Sequence, residues 1–489
     1  MDESPAAGEL EHFRKLFWEA NKRSNTPEER GAALVYAAER GWEWAAPLLE
    51  ALRLVPLGEP AQALQLLEHL EVPDALTAEA HYTRGLAHRR AEANEEAAAA
   101  FEQALASPGL GNPGAALRRL GDCMADLDSK EAAVNLYHEA LETPGYKSHG
   151  VTWFNLGITL EELDRPEQAI EAYHHAAEAG YKKWMVLDSI GLLHYYEDES
   201  ETAIEFFKRS LEEAGHKKPG DTWDNLGRAY LDLGKAEKAI ESFHKALELP
   251  GHSPGAVCVY LGRAHAKQGR HQEAIEAFRK SLEDPKYKQP GEAWDGLADS
   301  LGKSGQHEEA IAAYRKALRE PGNSTPANTW FNLGTAYHST GQFESAVDCF
   351  SQSLAASIDD PRDAWYEKGH NQLKLGRHAE ALECFGTALE NEGDIEDGDC
   401  LHAMAVAYGN LGDFATAEQC YRKALGDPNY SSPHISRLNF SIDLRDAGRR
   451  EEAEAQIRRV LSEPDREGEH GQARFLLGVL EGRENGDRE

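Results

Sequence analysis

The sequence predicts an all-α solenoid built from repeated helix pairs, and two observations carry that expectation. A small residue recurs at Ala51, Gly85, Gly121, Gly157, Gly191, Gly227, Gly262, Ala298, Gly334, Gly369, Ala405 and Ser441, at intervals of 34 to 36 residues. An alanine recurs in step with it, at Ala63, Ala97, Ala133, Ala169, Ala203, Ala239, Ala274, Ala310, Ala346, Ala381, Ala417 and Ala453. Two series held in step over about 400 residues mark some twelve copies of one unit. Length alone, 489 residues, would suggest about three ordinary domains, but a fixed internal period overrides that count.

In chain order, the segment 1–43 has helical patterning without the repeated positions and is expected to form an N-terminal helical cap or degenerate repeat. Within the array at 44–470, each unit reads as two amphipathic helices. Ala239, Ile240, Phe243, Ala246 and Leu247 follow the i, i+3, i+4, i+7 spacing of a buried helical stripe. The small residue of the first helix lets the paired helices approach, and the aromatic that follows the second-helix alanine fills the space beside them. Turns inside a pair carry Gly or Asp (LDLGKAEKA, AKQGRHQEA), where a left-handed residue ends the first helix. Pro144, Pro250, Pro285, Pro321, Pro428 and Pro464 mark the exits between units. The segment 471–489 is expected to supply a capping helix at Gln472–Glu481 and a charged tail after Gly482.

Trp223, Leu226, Gly227, Tyr230, Ala239 and Phe243, and again Trp330, Leu333, Gly334, Tyr337, Ala346 and Phe350, match the W-x2-L-G-x2-Y…A-x3-F pattern in every position. Weaker copies begin at Trp153 and Trp294. The chain therefore resembles the tetratricopeptide repeat family over most of its length. The resemblance implies a right-handed superhelix whose first helices line a concave groove that receives a peptide or a partner helix. The exit prolines lie one residue earlier than the family's, which should alter the superhelical pitch.

Mapped by that register, Phe154, Asp224, Asp295, Phe331, Tyr366 and His402 form one groove-facing row. Arg228, Arg263, Asp299 and His370 form a second, and Lys267, Lys303 and Lys374 a third. Mixed charge with aromatic anchors suits a peptide held by pockets and directed polar contacts. Asn155, Asn225, Asn332 and Asn439 share a further register, and an amide that both donates and accepts can clamp a peptide backbone. This is similar to the asparagine ladder of the O-linked N-acetylglucosamine transferase superhelix, interrupted here by Ser189, Tyr260 and Gly296. The two-carboxylate clamp of chaperone-binding members is not reproduced, so a chaperone C-terminus is not the expected ligand.

Composition narrows the function classes. The chain carries 85 acidic and 52 basic residues, a net charge of −33 that repels nucleic-acid phosphates. With 41% hydrophobic residues it can bury a core, yet no run approaches the ~20 apolar residues of a membrane span. Its acidic start, MDESPAAGELEH, lacks the regions of a signal peptide, and a cytoplasmic location is expected.

No phosphate-binding glycine loop, HExxH or GxSxG occurs, so no catalytic residue, cofactor or metal is expected. Six cysteines without a CxxC exclude a disulfide framework; Cys349, Cys384 and Cys420 occupy one repeated position and read as small buried thiols. His338, His370 and His402 fall on three consecutive first helices and read as groove-lining, while His138, His174 and His244 read as outward-facing. Consecutive exit loops place Lys147, Lys182, Lys183, Lys217, Lys218, Lys286 and Lys288 along one edge, a possible basic ridge for an acidic partner. The expected function is a non-enzymatic scaffold binding a peptide or helix of a partner protein. The alternative is a structural protein that self-assembles through its repeats or ends.

Overall fold

The computed structural model describes residues 6–20, 27–249, 253–391, 395–463 and 469–481. Pro250, Pro464 and the charged tail beyond Glu481 lie outside the described residues. Among the described residues there are 27 α-helices, one 3-10 turn at Asp74–Leu76 and no strand. Two helices lead, α1 (Ala7–Ala20) and α2 (Pro27–Ala38). Pairs then follow: α3 (Ala45–Leu57) and α4 (Pro60–Glu68), α5 (Thr77–Arg90) and α6 (Asn94–Ala106), α7 (Pro113–Asp126) and α8 (Lys130–Glu142), α9 (His149–Glu161) and α10 (Pro166–Glu178). Next come α11 (Lys183–Tyr196) and α12 (Ser200–Glu212), α13 (Pro219–Asp232) and α14 (Ala236–Leu247), α15 (Pro254–Lys267) and α16 (His271–Glu283), α17 (Pro290–Lys303) and α18 (His307–Ala317). The last are α19 (Pro326–Ser339) and α20 (Phe343–Ala355), α21 (Pro361–Lys374) and α22 (His378–Glu390), α23 (Asp397–Asn410) and α24 (Phe414–Ala424), α25 (Pro433–Asp446) and α26 (Arg450–Leu461), then a single α27 (Glu469–Leu480).

The chain divides into two compact units, Met1–Gly234 and Lys235–Glu489. Inside each unit the packing follows chain order: a first helix lies on its own second helix, which lies on the next first helix. This is an all-α solenoid of helix pairs, and the small residues sit where the period predicts. A Cβ added at Gly157 would lie 2.5 Å from the Tyr173 ring, and at Gly369 it would lie 2.7 Å from Phe385. The aromatics that fill these gaps, Tyr173, Phe207, Phe278, Phe350 and Phe385, are buried.

Within pairs, the turn residue adopts the left-handed conformation: Gly305 at φ +79°, but also Asp128, Asp164 and Asp198 at φ +59°. Asp tolerates that region through local hydrogen bonding of its short side chain, so glycine is not required there. Pro144, Pro285, Pro321 and Pro428 do follow second helices, in exposed turns. A second set of prolines, unread in the sequence, opens first helices: Pro219, Pro290, Pro326, Pro361 and Pro433 each stand in the first turn, where the missing N–H has no partner to lose.

Helix α1 is bound to the array by a buried ion pair. Arg14 Nε donates to Glu79 Oε1 at 3.0 Å, and the Trp18 indole and Gly111 N–H donate to the same oxygen at 3.3 and 3.2 Å. Glu79 is 0% exposed. At the other end, Ala473 and Leu480 of α27 join the core of Ile457 and Val460. Among the described residues no helix is long and apolar enough to cross a membrane.

Candidate functional site

First-helix residues three before the small position were expected to face an open groove. The structure instead packs the aromatic members of that row on the second helix of their own pair and leaves the polar members half-buried. Phe154 is buried, its ring 5.4 Å from Tyr173 and 4.8 Å from Tyr181. Phe331 meets Phe350 edge-on at 5.3 Å, and Tyr366 lies 5.7 Å from Phe385. Two polar members reach the next repeat: Asp295 accepts the Thr329 hydroxyl at 2.7 Å, and His402 Nδ1 bonds Ser436 Oγ at 2.7 Å. Asp224 is held within its own helix by Arg228 at 3.4 Å. Phe154, Phe331 and Tyr366 are therefore packed within their own repeats, while Asp295 and His402 bridge to the next. Aromatic surface is buried inside each pair, and hydroxyl bonds cross the boundary between pairs.

The second and third rows remain accessible. Arg263 is exposed, pairs with Glu292 of the next first helix, and lies 5.5 Å over the Tyr260 ring. Lys303 pairs with Asp299 at 3.0 Å. Lys267, Lys303 and Lys374 are all exposed. His370 is half-buried, 5.9 Å from His338 and 6.2 Å from Tyr366. Its pKa is lowered, first by burial and then by Lys374 and His338. His402 is pushed down to about 4 by burial and, next, by His370. His338 in turn hydrogen-bonds the fully buried Asn371 at 2.9 Å, a bridge from α19 to α21 that the sequence did not point to.

The asparagine register is largely occupied by the chain itself. Asn155 donates to Asp122 at 2.7 Å, Asn225 accepts from Arg228 at 2.9 Å, and Asn439 donates to His402 Nε2 at 3.4 Å. Asn332 is half-buried.

In the Met1–Gly234 unit a cleft of about 480 Å³ opens along α5, α7 and α9, with Arg89, Asp122, Asp126, Lys130 and Glu162 beside Asn155. Of these only Asn155 was legible as a site residue. Asp122 accepts the Tyr137 hydroxyl at 3.1 Å and pairs with Arg118 at 3.0 Å. It follows Gly121 directly, the register of Arg228 and Arg263, and that shared register was the available signal. Arg89 pairs with Asp126, and Lys130 with Asp128 and Glu162, so these charges are matched within the cleft.

All seven edge lysines are exposed: Lys147, Lys182, Lys183, Lys217 and Lys218 in the first unit, Lys286 and Lys288 in the second. Lys183 pairs with Glu213, and Lys218 with Asp221 at 3.6 Å. His138, His174 and His244 are exposed. Cys349, Cys384 and Cys420 are buried, and burial raises each thiol pKa, Cys349 to about 12. Among the described residues no three His, Cys, Asp or Glu side chains are placed to hold a metal ion.

Tetratricopeptide repeat models match residues 48–111, 82–147, 151–179 and 220–249, and the model of the cilia and flagella-associated protein 70 C-terminal domain matches 245–476. The chain is a tetratricopeptide repeat protein. No curated protein matches it. Among solved tetratricopeptide repeat and related folds, it is similar to the APC/C Cut9–Hcn1 hetero-tetramer at 17% identity, covering 96% of both chains with a TM-score of 0.43. It is also similar to the C-terminal part of a repeat protein from Cytophaga hutchinsonii, at 17% identity, 50% of this chain, 97% of that one and a TM-score of 0.42. For YrrB, described as having an unusual peptide-binding site, the values are 22%, 41%, 97% and 0.33.

Proposed function

We propose that this tetratricopeptide repeat protein is a non-enzymatic scaffold that holds a peptide or helix of a partner protein along its first-helix face. One observation carries the reading. In the Lys235–Glu489 unit, Lys267, Lys303 and Lys374 recur in one register on α15, α17 and α21, with Arg263 one turn before Lys267, all exposed and outside the core. Basic side chains repeated along this face, interrupted by Ser339 on α19, suit an extended segment bearing carboxylates, which complementary charge would orient. Segments 1–43 and 471–489 would then close the ends of a 44–470 repeat array. Six free, buried cysteines agree with a reducing compartment such as the cytoplasm.

The test is affinity purification from the native cell with Lys267, Lys303 and Lys374 changed to glutamate, a triple variant whose exposed positions spare the fold. Loss of specific partners, with helicity unchanged by circular dichroism, supports the reading. Recovery of the same partners overturns it.

Self-assembly through an end has its own support, because Phe475 is 62% and Val479 44% exposed one turn apart on α27. An apolar pair on a terminal helix is the place where another copy would stack. Light scattering over a dilution series separates the two readings, since growth with concentration belongs to assembly alone.

A further inference from the structure

Helices α24 and α26 flank α25 around a notch of about 290 Å³, separate from the first-helix face. Arg422, Arg437 and Arg459 line it, one from each helix, with Gln456 and Glu452 beside them. Arg437 stands four residues before Ser441, the register held by tryptophan at Trp153, Trp223, Trp294 and Trp330. The corresponding notch between α18, α19 and α20 shows what that position ordinarily does: Trp330 lines it with Leu318 and Leu333, although Arg315, Arg319 and Asp348 line it too. A tryptophan buries apolar area there. An arginine in its place loses hydration with nothing apolar gained.

The charges around Arg437 do not repay that loss. Its Nε is buried without a hydrogen-bond partner, and so is Oε1 of Gln456. Two carboxylates nearby are committed elsewhere, Glu452 to Arg449 at 2.6 Å and Glu418 to Arg449 and Arg422, which leaves Glu463 as the carboxylate that acts on Arg437. Burial lowers the Arg437 pKa, and Arg459 lowers it further, with Glu463 acting in the opposite direction. Among the described residues neither Arg437 nor Arg459 has an ion-pair partner, and the two cations line one opening.

We propose that this notch binds a phosphoryl group. Guanidinium forks from three helices supply directed donors that a compact dianion with several acceptor oxygens can satisfy at once. A single carboxylate would engage one fork and leave the others unmet. The Gln456 amide can present its NH2 to the same anion by turning over. Glu452 on the rim disfavours a longer acidic chain, leaving the small anion as the better fit. A phosphorylated serine or threonine of a partner and free phosphate both carry that group, and the chemistry of recognition is shared.

The experiment is calorimetric titration of the full chain with inorganic phosphate and, separately, with O-phosphoserine, at ionic strength held constant with chloride. One saturable site is expected, weakened roughly tenfold or more in Arg437→Gln, since each charge-assisted bond is worth about one decade or more of affinity. Arg445→Gln, on the same helix but paired with Asp446, should bind as the unmodified chain does. Should Arg437→Gln fail to fold, the exposed Arg459→Gln takes its place. Tighter binding of phosphoserine than of phosphate assigns the site to a phosphorylated partner, and the reverse assigns it to free phosphate. No saturable heat, or a signal indifferent to both substitutions, overturns the proposal and leaves these arginines as complements to helix C-termini.

Discussion

The Asp188 carboxylate accepts the Thr222 hydroxyl at 2.8 Å across the boundary between two consecutive repeats. His216 completes the arrangement. Its Nδ1 accepts the Lys218 N–H at 3.0 Å, so Nε2 carries the hydrogen and faces Thr222 Oγ1 at 2.9 Å, while Trp184 stacks on the ring at 4.5 Å. Asp295 with Thr329 and His402 with Ser436 repeat the geometry in the second unit, so the device belongs to the register and not to one place.

Burial pushes the Asp188 carboxyl up to about 6 from its ordinary 3.8. The folded chain then holds that proton more tightly than the unfolded chain. Its stabilising contribution is complete below pH 3.8 and is lost as the pH rises through about 6. Asp188→Asn, which stays neutral, should gain stability relative to the unmodified chain between pH 4 and 7, by about 1–3 kcal/mol. Urea midpoints at both pH values measure this, and parallel behaviour of the two proteins counts against it.

His402 has the opposite sign. Burial holds its pKa at about 4 against 6.5, so the unfolded state takes up the proton first. The stability it supports is present above pH 6.5 and is lost as the pH falls through about 4. His402→Gln should flatten the acid limb of thermal unfolding, at the expense of the Ser436 bond near neutrality, about 1 kcal/mol. An acid limb that keeps its slope in this variant would exclude His402 as its source.

Gly157→Ala tests the close approach of paired helices. The added methyl would stand 2.5 Å from one Tyr173 ring carbon and 2.7 Å from the next, and that tyrosine is fully buried. Overpacking of this kind costs about 1–3 kcal/mol, well beyond the gain in helix propensity of about 1 kcal/mol. Chemical denaturation should show net destabilisation. A variant as stable as the parent would mean that the ring moves aside freely.

Arg14→Ala leaves the Glu79 carboxylate buried with the Trp18 and Gly111 donors but no cation. Burial already raises its pKa, with Arg14 the largest opposing influence. A loss of about 3–5 kcal/mol is expected from the single variant, and Arg14→Met combined with Glu79→Leu should recover most of it. Recovery is the decisive part, because it separates an orphaned charge from simple loss of packing.

Much of the architecture was legible before any coordinates. Gly157, Gly191 and Gly369 with Tyr173, Phe207 and Phe385 announced both the helix pairs and their contact, since a glycine beside an aromatic at fixed spacing has one economical use. The face assigned to Phe154, Phe331, Tyr366, Asp295 and His402 was harder to read. Helical periodicity places a residue at an angle on its own helix, but whether that angle opens to solvent depends on how closely its own second helix and the next repeat pack over it. The asparagine register failed for the same reason: Asn155 and Asn439 spend their amides on Asp122 and His402, neighbours one repeat away.

What the sequence determined by itself, then, is the unit: its length, its two helices, its small and aromatic contact residues, and the number of copies. These follow from local geometry, because every repeat solves one packing problem with the same residue types. Only the tertiary structure decided which polar side chains are used up between repeats and which remain for a partner. Arg437 shows why. In the sequence it is a departure from tryptophan; beside Arg422, Arg459 and Gln456 it becomes a half-buried cation whose Nε has no hydrogen-bond partner, and that property belongs to the neighbours that folding assembles around it.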